Sequence, residues 1–164
     1  MADTHVPTRA KDLPAQLWAA VEQADLVVHA GDWMDARLLD ELEARSRSLL
    51  ACWGNNDGVD VRARLPEVAT AVVEGVRVSV VHETGSRARR EERMRADYPD
   101  ADLLVFGHSH IPWDTTHAGL RLINPGSPTD RRRQPHCTYM TARLVGGTVR
   151  DVVLHRLPQR TVGG

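Results

Sequence analysis

The sequence predicts an α/β fold in which helices alternate with the strands of a parallel sheet. A helical pattern of apolar residues followed by a short apolar run occurs twice between residues 13 and 53. Each of these runs ends at a glycine that is followed by polar side chains. Because parallel strands need a long crossover connection, two successive helix–strand units indicate a parallel sheet.

The first half of the chain contains two predicted helices and two predicted strands. Apolar residues recur at helical spacing from Leu13, with Asp12 as the predicted N-cap and Pro14 in the first turn. The apolar run that ends at Ala30 is short and β-branched, which is typical of a buried strand. In order, the predicted elements are a helix over 13–23, a strand over 25–30, a helix over 35–45 and a strand over 49–53.

The second half changes to alternating patterns that predict antiparallel strand pairs. Two alternating runs joined by Glu74 and Gly75 predict a hairpin, and Gly146 with Gly147 joins another strand pair. A highly charged segment stopped by Pro99 predicts an exposed helix. The predicted elements are strands over 68–73 and 76–81, a helix over 86–96, and strands over 101–106, 113–117, 120–123, 136–144 and 148–156.

Length and composition indicate one soluble domain over residues 1–164. The chain carries a formal net charge of −1 with 41% hydrophobic residues, so no global field attracts nucleic acid or an anionic membrane. Cys52 and Cys137 lie far apart in apolar stretches, which suits reduced thiols. We therefore expect a cytoplasmic protein with no membrane contact and no stable nucleic-acid complex, and we leave open whether it forms a homo-oligomer.

Four polar clusters and one isolated histidine follow the apolar runs in a fixed order. They are Asp3-Thr4-His5, Gly31-Asp32, Gly54-Asn55-Asn56-Asp57, His82 and Gly107-His108-Ser109-His110. Since separate strands can end at one rim, these side chains could converge on a single site. Residues two apart on an extended segment point the same way, so the Asp-x-His and His-x-His pairs could each aim both side chains at one locus.

The mixture of imidazole and carboxylate groups favours transition metals, because Mg²⁺ and Ca²⁺ prefer an all-oxygen shell. We expect two divalent ions, with manganese as the first choice ahead of iron, zinc, cobalt and nickel. Asp32 is the natural bridging carboxylate, since a lone Gly-Asp at a strand end leaves both carboxylate oxygens free to contact two ions. Gly31, Gly54 and Gly107 would relieve steric crowding at these turns.

In this order the motifs resemble those of the calcineurin-like metallophosphoesterase superfamily. The chain contains D-x-H, G-D, G-N-x-D, an isolated H and G-H-S-H, and its short length with Asn124-Pro-Gly-Ser127 is similar to the small prokaryotic phosphodiesterase branch. The resemblance extends from residue 3 to about residue 145. It implies two mixed β-sheets packed as a sandwich and flanked by helices, with metals at the strand ends.

The resemblance also implies a role for each site residue. The first metal would be held by Asp3, His5, Asp32 and His110. The second metal would be held by Asp32, Asn55, His82 and His108. The implied catalytic residues are Asp32, Asn55, Asn56, Asp57 and His108, of which Asp57 would act from behind the ligands.

This site favours a binuclear metal-dependent phosphodiesterase, in which a metal-bridging hydroxide attacks a phosphate diester in line. Two divalent ions, two carboxylates and one hydroxide leave a charge of about +1, which a diester anion would neutralise. The expected substrate is a small phosphodiester or a nucleotide. Two alternatives stay open: a phosphomonoesterase that acts on small metabolites or phosphoproteins, and a non-catalytic scaffold of the same fold. Competent side chains at all the ligand positions favour an enzyme.

Two positions depart from the family pattern. Asn56 stands where the family often has a histidine that contacts substrate and protonates the leaving group, and an amide cannot act as a general acid near neutral pH. We therefore expect activated leaving groups to depart well and alkyl monoesters poorly, with Asn56 at most donating a hydrogen bond to the phosphoryl oxygen. The second departure is Glu83, which follows His82 where the family often has glycine.

Other histidines, arginines and tryptophans give weaker signals of function. Packing or exposure, rather than ligation, is predicted for His29, His117, His136 and His155. A solvated loop is favoured over phosphate contact for the three arginines at 131–133. Core positions are predicted for Trp18, Trp33 and Trp53, although Trp33 or Trp113 could offer a stacking face to a base.

The start of the chain lacks a strand that could carry its first motif. Every other cluster follows an apolar run, but only Met1 and Ala2 precede Asp3. We expect either an unusually short first strand or a natural reading frame that begins upstream, and we favour the second.

Overall fold

The computed structural model describes residues 1–158, in which two layers of strands lie between outer helices. The helices are α1 (Ala15–Gln23), α2 (Ala36–Arg45), α3 (Val59–Arg62) and α4 (Arg90–Asp97). The strands are β1 (Val27–Ala30), β2 (Leu49–Cys52), β3 (Val68–Val73), β4 (Val76–Val81), β5 (Leu103–Val105), β6 (Trp113–His117), β7 (Leu120–Asn124), β8 (Thr138–Val145) and β9 (Thr148–Arg156).

One layer is a five-stranded mixed sheet in the order β3-β4-β5-β7-β6. The predicted hairpin of β3 and β4 is confirmed, with Val73 opposite Val76 across the turn. β5 pairs in parallel with both β4 and β7, and β6 is antiparallel to β7. The carboxyl ends of β4, β5 and β7 therefore meet at one edge, where the chain continues into His82, Gly107 and Pro125.

The second layer consists of two ladders, the parallel pair β1–β2 and the antiparallel pair β8–β9. The N-terminal residues extend the first ladder. The Ala30 amide donates to the Met1 carbonyl at 3.0 Å, and the Asp3 amide donates to the Gly31 carbonyl at 2.9 Å. A cavity of about 920 Å³ lies next to Met1 and is lined by residues of α1, β1 and the β8–β9 hairpin. Asp3 is thus placed by backbone bonds to the chain at and after the end of β1.

The apolar side chains form three clusters that fix the order of the layers. The cluster between the strand layers includes Ala30 and Cys52 on one side and Val78, Val80 and Leu103 on the other. α1 and α2 cover the outer face of β1 and β2, and Met94 of α4 packs against the outer face of the five-stranded sheet. The predicted sandwich flanked by helices is confirmed, with the mixed strand directions confined to the five-stranded sheet.

The predicted helix starts differ from the observed ones for local reasons. α1 begins at Ala15, so Asp12 is not its N-cap. The Asp12 carboxylate instead accepts from the amide of Leu13 at 2.6 Å and from the indole of Trp18 at 2.9 Å. α2 begins at Ala36, with the Asp35 side chain accepting from the Arg37 amide as its N-cap.

The charged helix predicted over 86–96 begins later and is not wholly exposed. Arg93 donates to the carbonyls of Thr84 and Ser86, which holds residues 84–88 in a loop. α4 therefore starts at Arg90, and both Arg90 and Met94 are buried. α3 is a single turn that the sequence pattern did not predict.

None of the helices within residues 1–158 has the length and hydrophobicity required of a membrane span.

His29 is a buried core histidine, as predicted. Its ring lies 3.5 Å from the ring of Trp33 between centroids, and the two planes differ by 21°. One ring nitrogen lies 3.0 Å from the Thr4 hydroxyl, and the other accepts from the Gly31 amide at 3.2 Å. Burial lowers the pKa of His29 well below its ordinary value, so the neutral ring is the folded form. His29 thus supports the turn before Asp32 without facing the site itself.

We predict that His29→Ala lowers the free energy of unfolding by about 2–4 kcal/mol, because it leaves a cavity beside Trp33 and removes the bond to Thr4. Urea denaturation followed by tryptophan fluorescence measures the change. His117→Ala is the matched control, since His117 is exposed at the end of β6, and we expect it to change the unfolding free energy by less than about 0.5 kcal/mol. An equal loss in both variants would contradict the assignment of His29 to the core.

Candidate metal centre

The side chains predicted as metal ligands lie together, each within 3.5 Å of another member of the set. They come from the ends of separate strands and from the segment paired with β1. In spatial order they are Asp3, His110, His5, Asp32, His82, Asn55 and His108. The structure therefore brings every predicted ligand to one locus.

The first half of this ligand set contains Asp3, His5 and His110, all of which are buried. The Nε2 atoms of His5 and His110 lie 3.2 Å apart, and His110 Nε2 is 3.4 Å from Asp3 Oδ1. The second carboxylate oxygen of Asp3 is buried and has no hydrogen-bond partner. An orphaned buried carboxylate oxygen is costly, and the charge of a cation held by Asp3, His5 and His110 would offset part of that cost.

The second half is built around Asn55, whose side-chain oxygen faces two histidines. Asn55 Oδ1 lies 2.9 Å from His82 Nε2 and 3.1 Å from His108 Nδ1. His82 is buried, whereas His108 has about half of its side chain exposed. Glu83 is a further acidic neighbour, with a carboxylate oxygen 3.7 Å from His108 Nδ1. This half of the centre is open to solvent, so it is the side from which a substrate can approach.

Asp32 joins the two halves. Its Oδ2 atom lies 3.5 Å from His5 Nε2, and its Oδ1 atom lies 3.3 Å from His82 Nε2. Burial alone would raise the pKa of Asp32, but the hydrogen bonds with His82 and Asn56 outweigh burial and lower that pKa below its usual range. The same contact raises the pKa of His82 against the effect of burial. Asp32 is therefore an ionised carboxylate with one oxygen directed to each half.

Backbone carbonyls orient two of the imidazoles. His82 Nδ1 lies 2.8 Å from the carbonyl of Ala30, and His110 Nδ1 lies 2.6 Å from the carbonyl of Asp130. A ring nitrogen at this distance from a carbonyl donates its proton, so the Nε2 atom of the neutral ring keeps its lone pair for the site. Ligand histidines in metal proteins are commonly fixed in this way, and the donor set fits divalent transition metals.

The backbone at the site is left-handed, which corrects the extended geometry predicted for the two His-containing pairs. The φ angles are positive at Asp3 (54°), His5 (45°), Asp32 (63°), His108 (68°) and His110 (57°). Such angles are uncommon for residues other than glycine and concentrate at functional sites. Paired side chains thus converge through tight turns and not through strand alternation.

Glycine is required where two turns of the site approach each other. A Cβ atom on Gly54 would lie 2.3 Å from Asp32 Oδ1 and 2.4 Å from the Asp32 amide nitrogen. Gly31 has a φ of +84°, and a Cβ there would meet the ring of His82 at 2.8 Å. The crowding expected at these positions is confirmed.

Asp57 supports the site through the backbone. Its carboxylate accepts from the amides of Asp32 at 3.1 Å, Trp33 at 2.6 Å, Met34 at 2.9 Å and Gly54 at 2.7 Å. It is buried behind these turns and does not face the ligands' open side. We therefore regard it as a positioning residue, although the sequence pattern placed it among the catalytic residues.

Asn56 forms its hydrogen bonds with the carboxylate of Asp32. Its backbone amide donates to Asp32 Oδ1 at 3.0 Å, and its side-chain nitrogen donates to Asp32 Oδ2 at 2.7 Å. The side-chain nitrogen, which we expected at most to bond a phosphoryl oxygen, bonds the Asp32 carboxylate in this structure. Asn56 thus fixes the orientation of Asp32 from the exposed side.

The loop after Asn124 connects the first and last motifs, a role that the sequence pattern did not predict. Ser127 Oγ donates to the Asp3 carbonyl at 2.7 Å, and Thr129 Oγ1 donates to the Thr4 carbonyl at 2.5 Å. Asn124 donates to the Gly107 carbonyl at 2.8 Å, and the Asp130 carbonyl holds His110. The Asn-Pro-Gly-Ser motif was the one sequence signal for this loop.

The remaining candidates lie outside the ligand set. Trp33 is fully buried, with its indole donating to the Cys52 carbonyl, so packing is confirmed. Arg132 is exposed and donates to the His108 carbonyl at 3.1 Å, so the loop of residues 131–133 contacts the metal centre through Arg132. His155 stacks on Tyr139 in the β8–β9 hairpin. The guanidinium groups of two arginines lie over the ring of Trp113.

We predict that Asp57→Asn lowers the free energy of unfolding by about 2–4 kcal/mol, because the new amide leaves backbone donors without an acceptor. We also expect about 10–100-fold weaker metal binding, the usual cost of removing a group that orients a ligand. Isothermal titration with zinc and urea denaturation measure the two effects. Asp60→Asn, on the exposed side of α3, is the control that should change neither. Normal zinc affinity in a folded Asp57→Asn protein would contradict the positioning role.

Comparison with known proteins agrees with this geometry. Residues 1–147 match the profile of the calcineurin-like phosphoesterase superfamily domain. A probable metallophosphoesterase of Methanocaldococcus jannaschii is 31% identical over 130 residues, which cover 79% of this chain and 66% of that protein. The chain therefore spans slightly less than two thirds of the length of that relative.

Solved structures share the same fold. A Thermotoga maritima protein whose structure was determined by solution NMR is 32% identical, with a TM-score of 0.74 and 96% of each chain covered. Vps29 of Entamoeba histolytica, solved as a zinc complex, has a TM-score of 0.74 over 95% of each chain at 20% identity. At this identity, the second likeness concerns the fold alone.

Proposed function

Because the chain belongs to the calcineurin-like phosphoesterase superfamily, we propose that it is a binuclear metal-dependent phosphodiesterase that hydrolyses small phosphodiesters or nucleotides. The observation that carries this proposal is the position of Asp32. One oxygen of its carboxylate faces His5 and the other faces His82, each within 3.5 Å. A carboxylate between two groups of histidines is the arrangement that two neighbouring cations need.

The residues of the chain divide into holding and orienting roles. Asp3, His5, Asp32 and His110 would hold one ion, and Asp32, Asn55, His82 and His108 the other. Two such ions, when bound, activate water as a nucleophile and stabilise negative charge on phosphoryl oxygens. Asn56 and Asp57 orient Asp32 and its turn. The partly exposed His108 lies where the substrate would enter.

Two features favour a diester over a monoester. The ligand set contains two carboxylates, so a centre with two divalent ions and a hydroxide would carry about +1, which matches a singly charged diester. Asn56 also offers no titratable proton for a poor leaving group. Manganese is our first choice of metal, and the zinc complex of the Entamoeba protein is a reason to test zinc beside it.

A non-catalytic scaffold of the same fold is the competing function. The ligand positions argue against it, because every one of them keeps a side chain able to bind metal and the side chains converge. A scaffold would have no reason to keep a buried, unpartnered carboxylate oxygen at Asp3.

Side-by-side hydrolysis of an aryl phosphodiester and the matching aryl monoester tests the proposal. The full chain is loaded with manganese or zinc, and kcat/KM is measured for both substrates. We expect the diester to be hydrolysed at least about tenfold more efficiently, a difference of about 1.4 kcal/mol in barrier. Preference for the monoester would contradict diester specificity. Metal binding without hydrolysis of either substrate would favour the scaffold.

A further inference from the structure

Two arginines, one just before α4 and one at its first residue, have no hydrogen-bonded anionic partner within the described residues. Among residues 1–158, the guanidinium groups of Arg87 and Arg90 make neither a hydrogen bond nor an ion pair, although both lie over the ring of Trp113. The distances from the guanidinium carbon to the ring centroid are 5.0 Å for Arg87 and 4.8 Å for Arg90. Two like charges are thus held against one aromatic ring, and no carboxylate among residues 1–158 forms an ion pair with either guanidinium.

Arg90 is the more unusual of the pair because it is buried. Only 7% of the residue is exposed, and its Nε atom is buried without a hydrogen-bond partner. Its guanidinium also lies 5.0 Å from the ring of Phe106. Burial lowers the pKa of Arg90 from its usual value; the charge of Glu91 opposes this shift, and the neighbouring arginines add to it. Buried charges in proteins are normally paired with a counter-charge, whereas the Arg90 guanidinium forms no ion pair within the described residues.

The carboxylates nearby are engaged elsewhere. Glu92 accepts from Arg89 at 2.7 Å, and Glu91 accepts from the Thr115 hydroxyl at 3.2 Å. Arg93 uses its guanidinium to hold the loop carbonyls of residues 84–88. Arg87 and Arg90 are therefore the two arginines of this segment whose donors are available to a ligand.

The pair lies next to the loops that carry two predicted metal ligands. Phe106 and Trp113, both contacted by Arg90, bracket residues 107–112, which include His108 and His110. The arginines also follow His82 along the loop that leaves β4. A molecule bound to the open half of the metal centre could therefore extend toward them.

We propose that Arg87 and Arg90, with Trp113 as an apolar wall, form an anion site that takes a second phosphoryl group of the substrate. The planar fork of arginine matches phosphate oxygens two at a time, and an aromatic ring at the same place can carry the apolar part of the molecule. The identity of the ligand rests on the proposed function, since the metal centre would hold the phosphate that is cleaved. The substrate class is then a phosphodiester with an additional terminal phosphate.

The binding step is tested by NMR on the full chain loaded with zinc. Arginine Nε–Hε signals are followed during titration with inorganic phosphate, and Arg90→Lys identifies the Arg90 signal. We expect that signal to shift saturably, with at least about tenfold weaker binding in Arg87→Gln, as the loss of one charge-assisted contact predicts. Arg89→Gln is the matched control, because Arg89 lies in the same segment and is paired with Glu92. An Arg90 signal that does not move, or the same affinity in Arg87→Gln, would overturn the anion site.

A kinetic comparison tests the substrate class. The wild type and Arg87→Gln hydrolyse two matched aryl diesters, one of which carries an extra terminal phosphate. We expect Arg87→Gln to raise KM for the phosphorylated diester about tenfold more than for the plain one. Equal increases in KM would overturn the assignment of a second phosphoryl group. Saturable phosphate binding at Arg90 with no hydrolysis of either diester would support the anion site and contradict the proposed enzyme function.

Discussion

Replacing Asp32 by alanine will abolish phosphodiester hydrolysis and the binding of both metal ions together. Asp32 directs one oxygen to each half of the centre, so its removal takes a ligand from both ions at once. We expect kcat/KM to fall by at least about 10³-fold, more than the loss of a single stabilising group usually costs. Metal content after gel filtration and diester hydrolysis are measured on the same preparation.

Two control variants separate ligation from other effects of the change. Asp25→Ala removes a carboxylate whose side chain is 92% exposed and should keep both activity and metal content. His29→Ala should lower stability while leaving a folded protein that still binds metal at room temperature. An Asp32→Ala protein with two tightly bound ions and normal turnover would refute the bridging role.

Replacing Asn56 by histidine will widen the range of leaving groups. The wild-type amide cannot supply a proton, and general acid catalysis contributes about 10²–10⁴-fold in rate. We therefore expect the variant to gain more on alkyl esters than on activated aryl diesters. Chemistry-limited rates for a series of leaving groups of increasing pKa measure the effect.

The pH profile of Asn56→His gives a second readout. The protonated imidazole is the active acid, so the rate with poor leaving groups should fall as the pH rises through the pKa of the new histidine. Asn56→Ala is the control, because it removes the side-chain bond to Asp32 Oδ2 without adding an acid. If the wild type already cleaves alkyl and aryl substrates at equal chemistry-limited rates, another residue donates the proton and this account of Asn56 is wrong.

The fold could be predicted where local patterns decide the structure. The β3–β4 hairpin was predicted to the residue because a glycine-containing turn separates two alternating runs. The starts of α1 and α4 could not be predicted, because side chains from later turns set them. Asp12 is recruited by Trp18, and Arg93 holds the loop before α4.

The site could be predicted in composition but not in geometry. Motif order identified every side chain that now converges, from Asp3 to His110. The left-handed turns that aim them depend on contacts between distant segments, such as the bond from Ser127 to the Asp3 carbonyl. The unpaired Arg90 likewise has no sequence signal, since a charged segment alone favours a solvated helix.

Anomalous X-ray diffraction from crystals of the manganese-loaded protein, recorded at the manganese edge, tests directly for a binuclear centre. We expect two peaks separated by about 3.5–4 Å, the usual spacing in two-metal phosphoesterase sites. One peak should lie among Asp3, His5, Asp32 and His110, and the other among Asp32, Asn55, His82 and His108. A single peak, or none, in a protein that hydrolyses diesters would contradict the binuclear centre.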